Sequence, residues 1–150
     1  MHSVVISGTG LYQPPYTITN AELVEAFNQY ADLQNARFAT EIETGTREAM
    51  EHSSVEFIEK ASGIRQRYVI EKTGVLDPLR MCPRLQARAD DALSLMAEIC
   101  VAAANEALSQ AGKTGTDVDM VVCAASNMQR AYPAIAVEVQ QALGATGYGF

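Results

Sequence analysis

Three cysteines, Cys82, Cys100 and Cys123, are the thiols that this 150-residue chain offers for nucleophilic chemistry. A thiol becomes a nucleophile only beside a histidine, a cation or a helix N-terminus that favours its thiolate. Cys100 falls inside a helical pattern on its apolar side and Cys123 inside an apolar run, so both read as small core residues. Cys82 precedes Pro83 in a loop among arginines, where a reactive thiol is conceivable, yet nothing in the sequence pairs with it. The two histidines, His2 and His52, adjoin no cysteine, and no complete catalytic constellation is visible. Wide spacing and an odd count argue against a disulfide framework and against a zinc site, which needs clustered ligands, so no metal is expected.

Gly8-Thr9-Gly10 after an apolar run invites a dinucleotide-loop reading. The third glycine is absent, and Gln13-Pro14-Pro15 replaces the helix whose N-terminus would hold pyrophosphate. A tight turn after a core strand suffices to explain the glycines, and no cofactor is expected. The net charge of −7 disfavours nucleic acid as a partner. It is unevenly spread: Lys60, Arg65, Arg67, Lys72, Arg80, Arg84 and Arg88 stand against Glu71 and Asp77, which makes that stretch +5 on an otherwise acidic chain. Such an island suits an anionic ligand or acidic partner, or is simply a solvated surface. No apolar run approaches the ~18 residues of a membrane span, and the N-terminus lacks a signal-peptide pattern, so a cytoplasmic location without membrane contact is expected.

The elements that must position any site alternate between strand and helix, the pattern of an α/β protein. Ser3–Thr9 reads as a buried strand, followed by a Pro-containing loop over Gly10–Tyr16. Thr19 and Glu22 fit a capping box and Ile18 with Leu23 a hydrophobic staple, opening a helix whose apolar face is Leu23, Val24, Phe27 and Tyr30. Residues 31–52 are polar with weak periodicity and read as an excursion. Ser53 with Glu56 fits a second capping box, for a short helix ended by Gly63. Arg65–Ile70 alternates as a half-exposed strand, and residues 71–89 form a second irregular excursion. Asp90–Ala111 is a mostly buried helix with a narrow polar stripe of Ser94, Glu98, Asn105 and Ser109, stopped by Gly112. Met120–Ala125 has the continuous apolar character of a strand covered on both faces. Pro133 suits the first position of a last helix, with Ile135, Val139, Ala142 and Leu143 as its apolar face and Gly144 as its stop.

Three of these segments resemble one family. Ser62–Val69 (SGIRQRYV) resembles the Thr-Gly-Ile-Arg-x-Arg segment of β-ketoacyl-acyl carrier protein synthase III. SNMQRAYPAIAVEVQQALG resembles that family's loop, aromatic-Pro and helix segment, and SVVISGTGLYQPP with TNAEL its opening strand, Gly-Thr-Gly turn and first helix. The resemblance implies a thiolase-like fold of two similar α/β halves, each a mixed sheet with packed helices. Residues 1–150 would form the N-terminal half, and the C-terminal half would be absent from this chain. The nucleophilic cysteine would follow just after Phe150 in an Asp-x-x-x-Ala-Cys segment, so no catalytic residue is expected within residues 1–150.

The activity so implied is condensation of an acyl thioester primer with malonyl-carrier protein in fatty acid or related acyl-chain synthesis, by a homodimer whose substrate is acyl-coenzyme A or acyl-carrier protein. On the family pattern Phe57 occupies the place of a tryptophan that stacks on adenine, Ala61 that of a flanking arginine, and Ser62 that of a threonine. The alternative reading of Phe57 is a core residue of a short amphipathic helix. Tyr132 matches an aromatic that crosses the dimer to close the partner's acyl pocket, with Met128 and Arg130 beside it at the dimer contact. Arg84 and Arg88 would share a helical face if Pro83 began a helix, and would dock an acidic carrier protein or a pantetheine phosphate. Two alternatives stand beside this reading. One is a thiolase-fold acyltransferase or non-decarboxylative condensing enzyme. The other is a non-catalytic dimerisation or regulatory domain, complete at 150 residues.

Overall fold

A change of backbone at Thr19 from extended to helical organises the first part of the chain. The computed structural model describes residues 4–150; His2, and Ser3 at the head of the expected first strand, lie outside them. The chain divides into two compact units, Gln13–Gln86 and residues 4–12 with Ala87–Phe150.

In the first unit, strand β1 (Tyr16–Thr19) runs into helix α1 (Asn20–Arg37). Thr19 is the N-cap with the expected capping box: its hydroxyl accepts from the Glu22 amide at 3.3 Å, and the Glu22 carboxylate accepts from the Thr19 amide at 2.9 Å. Strand β1 lies partly where a loop is expected. It is held antiparallel to β2 (Gln66–Val69), with Ile18, 1% exposed, opposite Arg67. Helix α1 continues through the polar residues 31–37, and helix α2 (Ala39–Glu43) follows, so the first half of the expected excursion is helical. The chain then returns along α1. Asn35 exchanges two hydrogen bonds with the backbone of Met50 (2.8 and 2.9 Å), and Asn28 does the same with Ser53 (2.8 and 3.1 Å). The two asparagines, seven apart, share one face of the helix.

Those bonds explain a one-residue correction. Helix α3 (Val55–Ser62) is capped by Ser54, not Ser53, because the backbone of Ser53 is engaged by Asn28. Gly63 ends α3 at φ 69°, the left-handed conformation that glycine adopts without steric cost.

One carboxylate, Glu22, ties the irregular residues 71–86 to helix α1, and a second, Glu71, holds that segment together. Lys72 binds Glu22 at 2.6 Å and, with the Thr19 bonds, holds its pKa down at about 2. Glu71 accepts from the Thr73 hydroxyl, from the Arg84 amide at 2.7 Å and from the Gly74 amide at 2.9 Å, and it too is held at about 2. A folded-state pKa below the ordinary 4.5 means that the ionised form is the one stabilised. This contribution is therefore present above about pH 4.5 and is lost as pH falls toward 2. We expect the unit's unfolding midpoint in urea to drop across that window, and Glu71→Gln to flatten the drop; a midpoint unchanged between those pH values would contradict it.

The second unit is built around helix α4 (Leu95–Ala111). The helix starts five residues later than expected, because the Ser94 hydroxyl accepts from the Ala97 amide at 3.1 Å and makes Ser94 the N-cap rather than part of a polar stripe. Gly112 ends it as expected. Among its residues only Ala97 is buried, so the helix is half covered instead of mostly buried. Residues 4–9 form no strand: Val4, Val5 and Ile6 are exposed, and no ladder partner stands beside them among the described residues.

Gly8–Leu11 instead lies along α4. The Thr9 amide donates to Gln110 at 3.2 Å and the Leu11 amide to Glu106 at 2.8 Å. Neither Gly8 nor Gly10 has positive φ, so a turn is not what requires them. A Cβ on Gly8 would overlap the Ala107 carbonyl, and one on Gly10 the Ala103 carbonyl. These glycines serve close approach of backbone to backbone.

Beyond α4, a 3-10 turn over Gly115–Asp117 leads to strand β3 (Met120–Val121). Helix α5 (Ile135–Leu143) then connects β3 to strand β4 (Tyr148–Gly149), which pairs parallel to β3, with Met120 opposite Tyr148. Bonds from Phe150 N to Val121 O (2.8 Å) and from Cys123 N to Phe150 O (2.9 Å) extend the ladder. The core is Ala97, Ile135 and Val139, with Val121, Cys123 and Cys100 packed against it. Val122 and Met120 face out, so the run Met120–Ala125 is covered on one side rather than both. Pro133 precedes α5 by two residues, after a cis Tyr132–Pro133 bond, and Ala134 is the N-cap. On α5 the buried positions are Ile135, Ala136, Glu138 and Val139, while Ala142 is exposed. Among the described residues no helix is long and apolar enough to cross a membrane.

Candidate functional site

The loop over residues 122–134, between β3 and α5, brings together most of the sequence-predicted site residues of the second unit. Its outermost side chains are Met128 and Tyr132, the latter 89% exposed. Two anchors hold it. The Gln129 side-chain oxygen accepts from the Met96 amide at 3.4 Å. The Arg130 guanidinium turns inward, donating to the carbonyls of Asp90 and Ala92, each at 3.2 Å, and lying 3.5 Å from Glu138. Its charge is therefore engaged within the unit and is not displayed beside Met128 and Tyr132.

Glu138 is the residue that sequence reasoning passed over. It is 4% exposed, and its two oxygens accept from the Ser94 amide (2.9 Å) and the Ser94 hydroxyl (2.7 Å). An available signal was its position: Glu138 sits three after Ile135 and beside Val139, on the apolar face of the helix, where a carboxylate must find partners.

Beneath the loop's start lies a cleft of about 260 Å³, lined by Met96, Ile99 and Cys100 from α4 and by Cys123, Ser126 and Asn127. Its walls are chiefly apolar, and its polar groups lie at the loop end, an arrangement suited to an acyl chain or another apolar group with one polar end. Burial, reinforced by the neighbouring Cys123, pushes the Cys100 thiol above its ordinary range. At neutral pH Cys100 is therefore a protonated wall residue, in keeping with the core reading of both cysteines. Exposed Cys82 should be alkylated by iodoacetamide at least roughly 10-fold faster than Cys100. Peptide mapping after timed labelling checks this, and equal rates would refute the assignment.

In the first unit, α3 carries Phe57 and Ala61 on its surface, and no residue of that helix is buried. Phe57, 66% exposed, is thus not the core residue that one reading made it. The Ser62 hydroxyl is turned to its own helix: it donates to Ile58 O at 2.7 Å and accepts from the Ile64 amide at 3.2 Å. No helix begins at Pro83, so the condition for Arg84 and Arg88 to share a helical face is not met; they belong to different units. Arg84 pairs with Asp77, and Arg88 with Glu98 at 2.6 Å. Within the cationic island Lys72 pairs with Glu22, and Arg67 donates to Asn20 at 2.8 Å.

No protein-family model matches the chain. It is 53% identical over 127 residues to a β-ketodecanoyl-[acyl-carrier-protein] synthase of Pseudomonas aeruginosa, covering 85% of this chain and 36% of the relative. It is 31% identical over 151 residues to the β-ketoacyl-[acyl-carrier-protein] synthase III of Granulibacter bethesdensis, covering all of this chain and 33% of the relative. The chain thus spans about a third of the length of the curated relatives that it matches. Among solved structures, the 3-oxoacyl-[acyl-carrier-protein] synthase III of Aquifex aeolicus superposes with a TM-score of 0.59 at 22% identity, covering 96% of this chain and 32% of that one. The priming β-ketosynthase of the R1128 polyketide pathway gives the same score and identity, covering 96% and 30%. With the motifs in the same order, these likenesses make the chain a member of the β-ketoacyl-acyl carrier protein synthase III family, with its thiolase-like α/β fold.

Proposed function

We propose that this chain is the N-terminal half of a condensing enzyme that joins an acyl thioester primer to malonyl-carrier protein with loss of carbon dioxide. The observation that carries the reading is the 53% identity to the β-ketodecanoyl-[acyl-carrier-protein] synthase over 85% of the chain, together with the family-like segment that begins at Ser126 within loop 122–134. A β-ketodecanoyl product has ten carbons, and malonyl condensation adds two. The primer is accordingly a medium-chain acyl thioester of about eight carbons.

The nucleophile is a cysteine beyond Phe150. Its thiolate attacks the acyl carbonyl, the carrier or coenzyme A thiol leaves with the proton, and an acyl-cysteine forms. Malonyl-carrier protein then loses its carboxylate as carbon dioxide. The electron pair passes to the α-carbon, which attacks the acyl carbonyl and expels the cysteine thiolate. Backbone amides stabilise the oxyanion. Residues of this chain supply walls and closure. Cys100 and Met96 line the apolar cleft, the exposed ring of Tyr132 closes the acyl pocket of a second copy, and the exposed ring of Phe57 offers a stacking face for an adenine. The enzyme works in the cytoplasm as a homodimer and takes its malonyl group from the acidic acyl carrier protein.

The test is an assay of the full-length natural protein with malonyl-carrier protein and acyl thioesters of two to twelve carbons. Condensation with release of carbon dioxide, best near eight carbons, is expected. Acyl transfer without decarboxylation would replace this reading with an acyltransferase. A natural reading frame that stops at Phe150, with no thioester labelling, would replace it with a non-catalytic domain.

A further inference from the structure

Glu138 is a buried carboxylate that no step above uses. On physical grounds, a buried ion pair is poor evidence of stabilisation, because well-packed apolar residues of the same volume do as well or better. Its presence calls for a different account, and the bonds around it give one. The carboxylate joins three separate pieces of the second unit: α5, which carries it; the first turn of α4, through both the amide and the hydroxyl of Ser94; and loop 122–134, through Arg130. Arg130 completes the bracket by capping the carbonyls of Asp90 and Ala92, just before that turn.

Tyr132 stands two residues beyond Arg130, and its ring has almost no packing of its own within the unit, at 89% exposed. Its direction is therefore set by the backbone that leads to it, and that backbone is fixed on one side by Arg130 and on the other by the start of α5. The same bracket fixes the first turn of α4, where Met96 forms part of the wall of the apolar cleft.

From this geometry we infer that Ser94, Glu138 and Arg130 are positioning residues that set the acyl-chain-length preference by holding Tyr132 and the Met96 wall in register. The inference rests on the condensing-enzyme reading above. It separates two roles, since a merely structural bracket would lower activity toward all chain lengths alike, whereas a positioning bracket shifts the ratio between them.

The experiment uses the full-length protein and measures kcat and KM for eight-carbon and four-carbon acyl thioesters. The variants are Arg130→Lys, Glu138→Gln and Tyr132→Ala, with each of the first two also combined with the third. Arg130→Lys retains the charge but loses the second carbonyl bond, so it remains informative if Glu138→Gln proves too unstable to assay. The expected result is a shift of about 5- to 10-fold in the ratio of kcat/KM between the two chain lengths for Arg130→Lys, carried mainly by KM, the size of ordinary coupling between residues in one network. In the Tyr132→Ala background the same substitution should shift the ratio less than 2-fold, because the ring that it positions is gone. A uniform loss for both chain lengths, or a shift that persists undiminished without the tyrosine ring, would overturn the inference. A wild-type protein inactive with every acyl thioester would instead overturn the functional reading on which it rests, and the two failures are thereby distinguished.

Discussion

Glu138→Ala should destabilise the second unit by about 3–5 kcal/mol, the usual cost of removing one partner from a buried charged pair. Ala removes both acceptors of Ser94, so a buried amide and hydroxyl lose their partners together. It also leaves Arg130, whose side chain is only 23% exposed, without its counter-charge. The methylenes lost from α5 add a small cavity beside Ile135 and Val139. Urea unfolding followed by circular dichroism measures the effect. A double substitution, Glu138→Leu with Arg130→Met, should recover only the part of the loss that comes from the uncompensated Arg130 charge and the cavity, because the Ser94 amide and hydroxyl still lack their acceptors. A loss below about 1 kcal/mol for Glu138→Ala would show that water reaches Ser94 and Arg130 freely.

Gly10→Ala should cost about 1–3 kcal/mol or more, the range for forcing extra volume into a close contact. The added Cβ would overlap the carbonyl oxygen of Ala103 and come within 2.7 Å of the Ala107 nitrogen, and both belong to the backbone of α4, which cannot rotate aside. Segment 8–11 would have to lift from the helix, taking with it the bonds from Thr9 to Gln110 and from Leu11 to Glu106. Amide exchange should show this as lost protection at Leu11, whose donor bond to Glu106 spans 2.8 Å in the native structure. Unchanged protection would mean that the segment does not depend on close approach. Substitution at exposed Gly45, where nothing lies within 4 Å, is not expected to disturb packing in this way, although its φ of 72° still favours glycine.

Signals confined to a few adjacent residues were the ones legible in the sequence. The Thr19–Glu22 capping box and the glycine stops at 63, 112 and 144 depend on local backbone chemistry, and each stands where expected. Misplaced boundaries came from long-range bonds. The cap expected at Ser53 is displaced to Ser54, because Asn28, 25 residues away, engages the backbone of Ser53. Asp90 and Asp91 resemble a helix's first turn, yet Arg130 captures the carbonyls of Asp90 and Ala92 and leaves Ser94 to cap α4. The expected burial of Ser3–Thr9 and Met120–Ala125 followed from apolar composition, which does not say whether one face or two is covered. Tyr132, Met128 and Arg130 were singled out by family resemblance, not by local chemistry. The inward direction of Arg130 was not legible, because its partner Glu138 was not recognised as buried.

The paired asparagine clips on α1 have a practical consequence. Asn35 and Asn28 fasten Met50 and Ser53 on one side of the exposed residues 48–49, and the amides of Thr46 and Arg47 donate to the Glu41 carbonyl on the other. With both flanks fastened, lengthening the connection costs only the slow logarithmic growth of loop-closure entropy, about 0.6 kcal/mol per doubling. The peptide bond between Glu48 and Ala49 is therefore a place where a foreign segment, such as an epitope or a fluorophore-binding tag, can be spliced into the chain while α1 and α3 keep their places. The molecule carries a ready-made port for reporters, well separated in sequence from loop 122–134.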